Sequence, residues 1–174
     1  MLPAGYLAWH SLCVVDSLAM REINRLDQVF TFGEKLSFLI PHEWIEGESG
    51  HEGTYLYHYP DADSGWLRVN LLTSKGPGDP AERLQELFQK KENFWVDEKT
   101  GNLVNSYEKE IEEDGELLRT YYWLVGNFVP PDLVQEAVFS YTILRERTDE
   151  EENQAVINVL SQVLPRADFY RVVE

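Results

Sequence analysis

The sequence predicts an α+β domain: a mostly antiparallel sheet of six to seven strands flanked by helices on both faces, an α/β/α sandwich. Three observations predict it. Alternation with period two recurs between turn residues along most of the chain, the mark of strands joined by hairpins. Two stretches, 79–90 and 148–164, change to a helical period, and each opens on a capping pattern. The longest strands are apolar on both sides, as a sheet covered on both faces requires.

Residues 1–19 are moderately apolar but make a poor signal peptide, because no Lys or Arg precedes the apolar part and His10, Ser11 and Asp16 interrupt it. They are expected to be a weakly held extension, either upstream of a start at Met20 or folded as a short amphipathic helix. Residues 20–174 then form one domain. From Gln28 the pattern sharpens: Val29 to Phe32 is strand-like, Gly33-Glu34 turns, and Leu36, Phe38 and Ile40 alternate against Ser37 and Leu39. Pro41 ends pairing because it has no amide donor. Trap-like bulk at Trp44 follows, expected to plug the core.

Residues 54–74 carry the clearest hairpin. Tyr55, Tyr57 and Tyr59 alternate with Thr54, Leu56 and His58; Leu67, Val69 and Leu71 alternate with Trp66, Arg68 and Asn70. The segment 60–65 between them is a polar turn. Asp79, Pro80 and Glu82 then open an amphipathic helix with Ala81, Leu84, Leu87 and Phe88 on one stripe. A short strand at 93–97 is followed by a long one at 103–112, with Leu103, Tyr107 and Ile111 opposite Val104, Ser106, Glu108, Glu110 and Glu112. Asp114-Gly115 is a favoured two-residue hairpin turn. The strand at 116–128 sets Leu118, Tyr122 and Leu124 against Arg119, Tyr121, Trp123 and Val125. Beyond Pro130-Pro131, the β-branched and aromatic content of 133–145 favours strand over helix. Thr148 and Glu151 suggest a second capping box, opening a helix with a stripe of Ala155, Val156, Val159, Leu160, Val163 and Leu164. Residues 167–170 are expected to fold back as an anchor.

The chain of 174 residues has 31 acidic and 15 basic side chains, a net charge of −16. That argues against nucleic acid, whose phosphates need clustered Lys and Arg, and against an anionic membrane surface. It suits solubility or a basic protein partner. A single cysteine, Cys13, excludes an intrachain disulfide and a thiolate metal cluster, so a cytoplasmic protein is the expectation. No apolar run reaches the roughly 18–20 residues needed to span a bilayer.

The element order resembles the PsbP-like fold, shared by a photosystem lumen protein, a Ran-binding nuclear-import factor and uncharacterised bacterial domains. The strand Leu36-Ser37-Phe38-Leu39-Ile40-Pro41 with Trp44 just after it is similar to that group's opening strand and break. Asp79-Pro80 before the first helix and the closing helix at 148–164 also fit, and the resemblance spans roughly residues 28–170. It implies a binding or adaptor role and carries no catalytic residue to this chain.

Chemistry-bearing motifs are sparse. His42-Glu43-Trp44-Ile45-Glu46 lacks the second His of a zinc helix, and Asp61-x-Asp63-x-Gly65 lacks the distal Glu of a calcium loop, having Leu72 there. Gly76-Pro77-Gly78 has no Lys-Ser/Thr after it, so it is a cap and not a phosphate cradle. No metal, cofactor or catalytic set is predicted. The strand aromatics are the remaining signal: Tyr57, His58, Trp66, Arg68, Arg119, Tyr121 and Trp123, with Tyr55, Tyr59 and Tyr122 on the same sheet, would form an aromatic, Arg-edged binding surface if some share an open face, and core if both faces are covered. The favoured function is a non-catalytic, acidic, bacterial protein-binding or adaptor domain, one version being an inhibitor or immunity protein against a basic toxin. The alternative is a small-ligand binder or cryptic enzyme with a cleft at Tyr57, His58, Arg68 and Tyr121, His58 serving as general base.

Overall fold

The computed structural model describes residues 25–60 and 64–171. The predicted extension at 1–19 and the aspartates of the 60–65 turn lie outside the described residues. The frame is set by three long strands: β5 (Trp66–Lys75), β8 (Glu116–Val129) and β9 (Leu133–Leu144). With β3 (Ile45–Gly47), β4 (Thr54–His58), β6 (Trp95–Val96) and β7 (Leu103–Glu113) they make a seven-stranded antiparallel sheet, ordered β3-β4-β5-β9-β8-β7-β6. A separate three-stranded sheet, which the sequence reading did not anticipate, joins β1 (Leu26–Thr31), β2 (Leu36–Pro41) and β10 (Asp168–Phe169). Two helices, α1 (Pro80–Gln89) and α2 (Glu151–Val163), complete the α+β fold.

Paired residues in antiparallel strands share a face, so the register divides the large sheet cleanly. Tyr57, Leu67, Tyr141 and Tyr121 lie in one row on the inner face, and Tyr55, Val69, Phe139 and Trp123 in the next. The small sheet and α2 cover this face: Leu36, Phe38 and Ile40 from β2 and Val156, Ile157 and Leu160 from α2 join the same buried cluster. Phe38 meets Phe139 edge-on at 5.0 Å and Tyr57 at 5.8 Å, while Trp44 stacks on Tyr141 at 5.9 Å between ring centres. Trp44 thus plugs the core where Pro41 ends β2. Burying each such ring contributes roughly 1.5–3 kcal/mol.

Among the described residues, the outer face is covered at one end only. There α1 sets Leu84 and Phe88 against Val134 of β9, with Phe94 and Leu103 alongside. Asp79 caps α1, its carboxylate accepting the Ala81 amide at 2.9 Å, as the sequence predicts. Ala81 and Leu87 stay exposed, however, because the patch beneath α1 is wide enough only for Leu84 and Phe88. The predicted box at Thr148 does not form. Residues 145–147 instead make a 3-10 turn, α2 starts after Glu150 without a side-chain cap, and the Thr148 hydroxyl is buried with no hydrogen-bond partner among the described residues. Asn153 and Gln154 reach back to the carbonyls of Arg147 and Thr148, at 2.9 and 2.6 Å, and secure this entry from inside the helix.

The anchor at the C-terminal end is as predicted: Asp168 and Phe169 pair with Ser37 and Leu36. Buried Asn102 ties it to the large sheet, donating to the Pro165 and Ala167 carbonyls at 2.9 and 2.8 Å and accepting from Asn127 at 2.7 Å. The β7–β8 turn is Asp114-Gly115, both with positive φ (53° and 84°), the conformation for which this dipeptide is suited.

Gly126 marks where α1 approaches the sheet most closely. A Cβ there would sit 2.6 Å from Phe88 and 2.8 Å from Leu84. Gly126→Val is expected to lift α1 and destabilise the domain by about 1–3 kcal/mol in urea denaturation. An unchanged midpoint would mean that α1 does not dock there.

Candidate functional site

Beyond α1, the outer face of the large sheet continues as three rows, the third passing under the segment after α1, where buried Asn105 donates to the Glu92 carbonyl. The first runs His58, Trp66, Thr142, Thr120, Lys109; the second Leu56, Arg68, Ser140, Tyr122, Tyr107; the third Thr54, Asn70, Val138, Leu124, Asn105. Short polar side chains lock neighbouring strands without filling the surface. Thr120 and Thr142 bond at 3.0 Å, and the Thr54 hydroxyl donates to Asn70 at 2.7 Å. Over them stand the aromatics. Tyr107 and Tyr122 stack at 4.7 Å with planes 15° apart, and the Lys109 ammonium lies 5.6 Å from the Tyr107 ring centre. Arg68 and Lys109 are exposed, and Trp66 and Tyr122 are half-buried. The Trp66 indole N–H is itself shielded and has no acceptor among the described residues. The result is an aromatic, basic-rimmed face on an acidic protein.

The seven residues singled out from sequence divide between the two sides of the sheet. His58, Trp66 and Arg68 belong to this open face. Tyr57 and Trp123 are core on the other face, each 3% exposed. Tyr121 is half-buried on that same inner face, stacked at 6.5 Å on Trp123, where both line a cavity of about 250 Å³ with Ser106, Tyr107, Glu108, Tyr122 and Ser161. Arg119, also on the inner side, pairs with Glu110, which Arg145 holds from the other direction at 2.6 Å. These two guanidinium groups hold the Glu110 carboxyl below the usual range. The seven therefore do not form one surface, because strand neighbours point to opposite faces. For the same reason no cleft unites Tyr57, His58, Arg68 and Tyr121. His58 has its Nδ1 bonded to the Tyr59 carbonyl and its ring against Gly47, so the pairing with a carboxylate expected of a general base is replaced by a backbone contact.

Tyr107 and Lys109 are the residues of the open face that the sequence does not single out, whereas Tyr122 is among its strand aromatics. The signal was present: Tyr107 and Tyr122 lie on the same predicted side of their strands, opposite the side that carries Trp123 and Val125. Elsewhere, His42 pairs with Asp27 at 2.6 Å, and no group of three or more His, Cys, Asp or Glu that could hold a metal occurs among the described residues.

No family model matches the sequence, and no curated protein matches it. Solved structures match in fold. One is a crystal structure from Bacteroides thetaiotaomicron VPI-5482, 17% identical with a TM-score of 0.54, over 84% of this chain and 49% of that one. This chain therefore spans about half the length of that protein. Another is LpqN, involved in cell envelope biogenesis of Mycobacterium tuberculosis, 13% identical with a TM-score of 0.53 over 91% of this chain and 98% of LpqN. At these identities the likeness is one of fold.

The division of the tyrosines has a titration consequence. Burial pushes the phenols of Tyr57 and Tyr141 well above the ordinary tyrosine value. The folded state thus holds these protons more tightly than the unfolded chain, and its stability falls as pH rises past the unfolded value of about 10. In an alkaline absorbance titration, Tyr57→Phe is expected to leave the early, reversible ionisation unchanged and to reduce only the step that accompanies unfolding. Loss of early amplitude in that variant would place Tyr57 in solvent.

Proposed function

We propose that the chain is a non-catalytic protein-binding module whose partner docks on the open half of the outer sheet face. The incomplete cover by α1 carries this reading: it leaves Trp66, Tyr107 and Tyr122 accessible on a rigid sheet, rimmed by Arg68 and Lys109. Aromatic side chains with an adjoining Arg are the residue types on which binding energy concentrates at interfaces. The partner fitting this face offers apolar side chains to the rings and hydrogen-bond acceptors to Arg68 and Lys109. Its overall charge is basic, since a net charge of −16 accelerates capture of a positively charged protein, as an inhibitor or immunity protein would require. We further assign the fold to the PsbP-like group, supported by the Pro41 break, the Trp44 plug and the two helices in the expected places. A cytoplasmic setting rests on the single cysteine; no described helix is long and apolar enough to cross a membrane.

The test compares baits that differ only on this face. Ser140→Arg and Tyr122→Ala are expected to keep the melting profile yet weaken retention of the wild-type partner by about tenfold or more, and added salt is expected to slow association. A partner retained equally by all three baits would remove the face from the account.

A further inference from the structure

We infer that the free edge of β7 accepts an extended, basic segment of the partner as an added strand. This rests on the reading of the chain as a protein-binding module and names a second, separable contact. β7 is paired with β8 along its whole length, from Leu103 with Gly126 to Glu113 with Glu116. On its other side, among the described residues, only Leu103 and Val104 are paired, to β6. From residue 106 to 113 every position is exposed, and no described strand lies alongside. Such an edge offers a row of backbone donors and acceptors already held in extended geometry, the requirement for strand addition.

The side chains specify what would be added. Glu108, Glu110 and Glu112 project to the inner side and are exposed, Glu108 at the mouth of the cavity it lines with Ser161 of α2. Tyr107 and Ile111, 41% and 40% exposed, project to the outer side with Lys109 between them. Arg119 and Arg145 already neutralise Glu110, whereas Glu108 and Glu112 have no ion pair among the described residues. A strand laid beside β7 meets carboxylates on one side and apolar groups on the other, so it must alternate Lys or Arg with apolar residues. Charged edges usually serve to prevent aggregation. That role and this one agree: β7 against β7 of a second copy sets glutamates against glutamates, so the same charges that reject self-pairing select a basic strand.

The experiment uses a short fluorescent peptide alternating arginine and valine, its twin N-methylated at every residue, and a glutamate–valine version. The first is expected to bind at least about tenfold more tightly than either control and to slow amide exchange at residues 105–113. Glu108→Lys with Glu112→Lys is expected to weaken it by a similar factor, and Ser140→Arg to leave it unchanged. Equal binding of the N-methylated twin, protection of amides elsewhere, or self-association through 105–113 would overturn the inference. So would a partner lost on Ser140→Arg but retained by the double charge reversal, a result that leaves the open face standing. Peptide binding that survives while all baits retain the same partner would instead uphold the edge and sink the face.

Discussion

The structure depends on the register of the β8–β9 ladder, which runs from Leu118 with Leu144 to Val129 with Leu133. A one-residue slip of β9 against β8 would carry Phe139 and Tyr141 to the outer face and turn Ser140 inward in their place. That slip is prevented by packing, since Phe139 and Tyr141 are locked beneath Phe38 and Trp44. β5 and β7 take their register from β9 and β8, so the identity of every surface residue on the sheet follows from this one alignment.

Cover is unequal on the two sides, and the functional reading follows from the inequality. The inner face receives a second sheet and a helix; the outer receives a helix of ten residues at one end. The polar threonine and asparagine pairs on the outer face hold the strands together where no packed layer does so. Charge is distributed with the same asymmetry. Glutamates line the inner side of β7, while Arg68 and Lys109 stand on the open face, so one edge strand separates two surfaces of opposite character. A partner that contacts both would read them together.

Much of this was legible because alternation is a local property. The side assignments along 103–112, 116–128 and 133–145, the Asp114-Gly115 turn and the Asp79 cap all follow from residues within a few positions of one another. Which face would be left open was not legible, because it depends on where β1, β2 and β10 pack, and contacts between Leu36 and Phe169 are set by tertiary structure. Tyr57 and His58 are a different case: the alternation along residues 54–59 already sets them on opposite faces, so a site joining them conflicts with the strand pattern itself. Thr148 failed as a cap for another reason: the tight turn at 145–147 and the side chains of Asn153 and Gln154 meet the needs of the helix entry, which the spacing of Thr148 and Glu151 cannot reveal.

The central claim is that the two faces of one sheet differ in access to solvent, so the most direct measurement is hydroxyl-radical footprinting of the free protein, read residue by residue by mass spectrometry. The account expects heavy modification of Tyr107, weaker modification of Trp66 and Tyr122, and protection of Tyr57, Trp123 and Tyr141. Modification of Tyr57 and Trp123 at the level of Tyr107, or protection of Tyr107 and Tyr122 together, would contradict it.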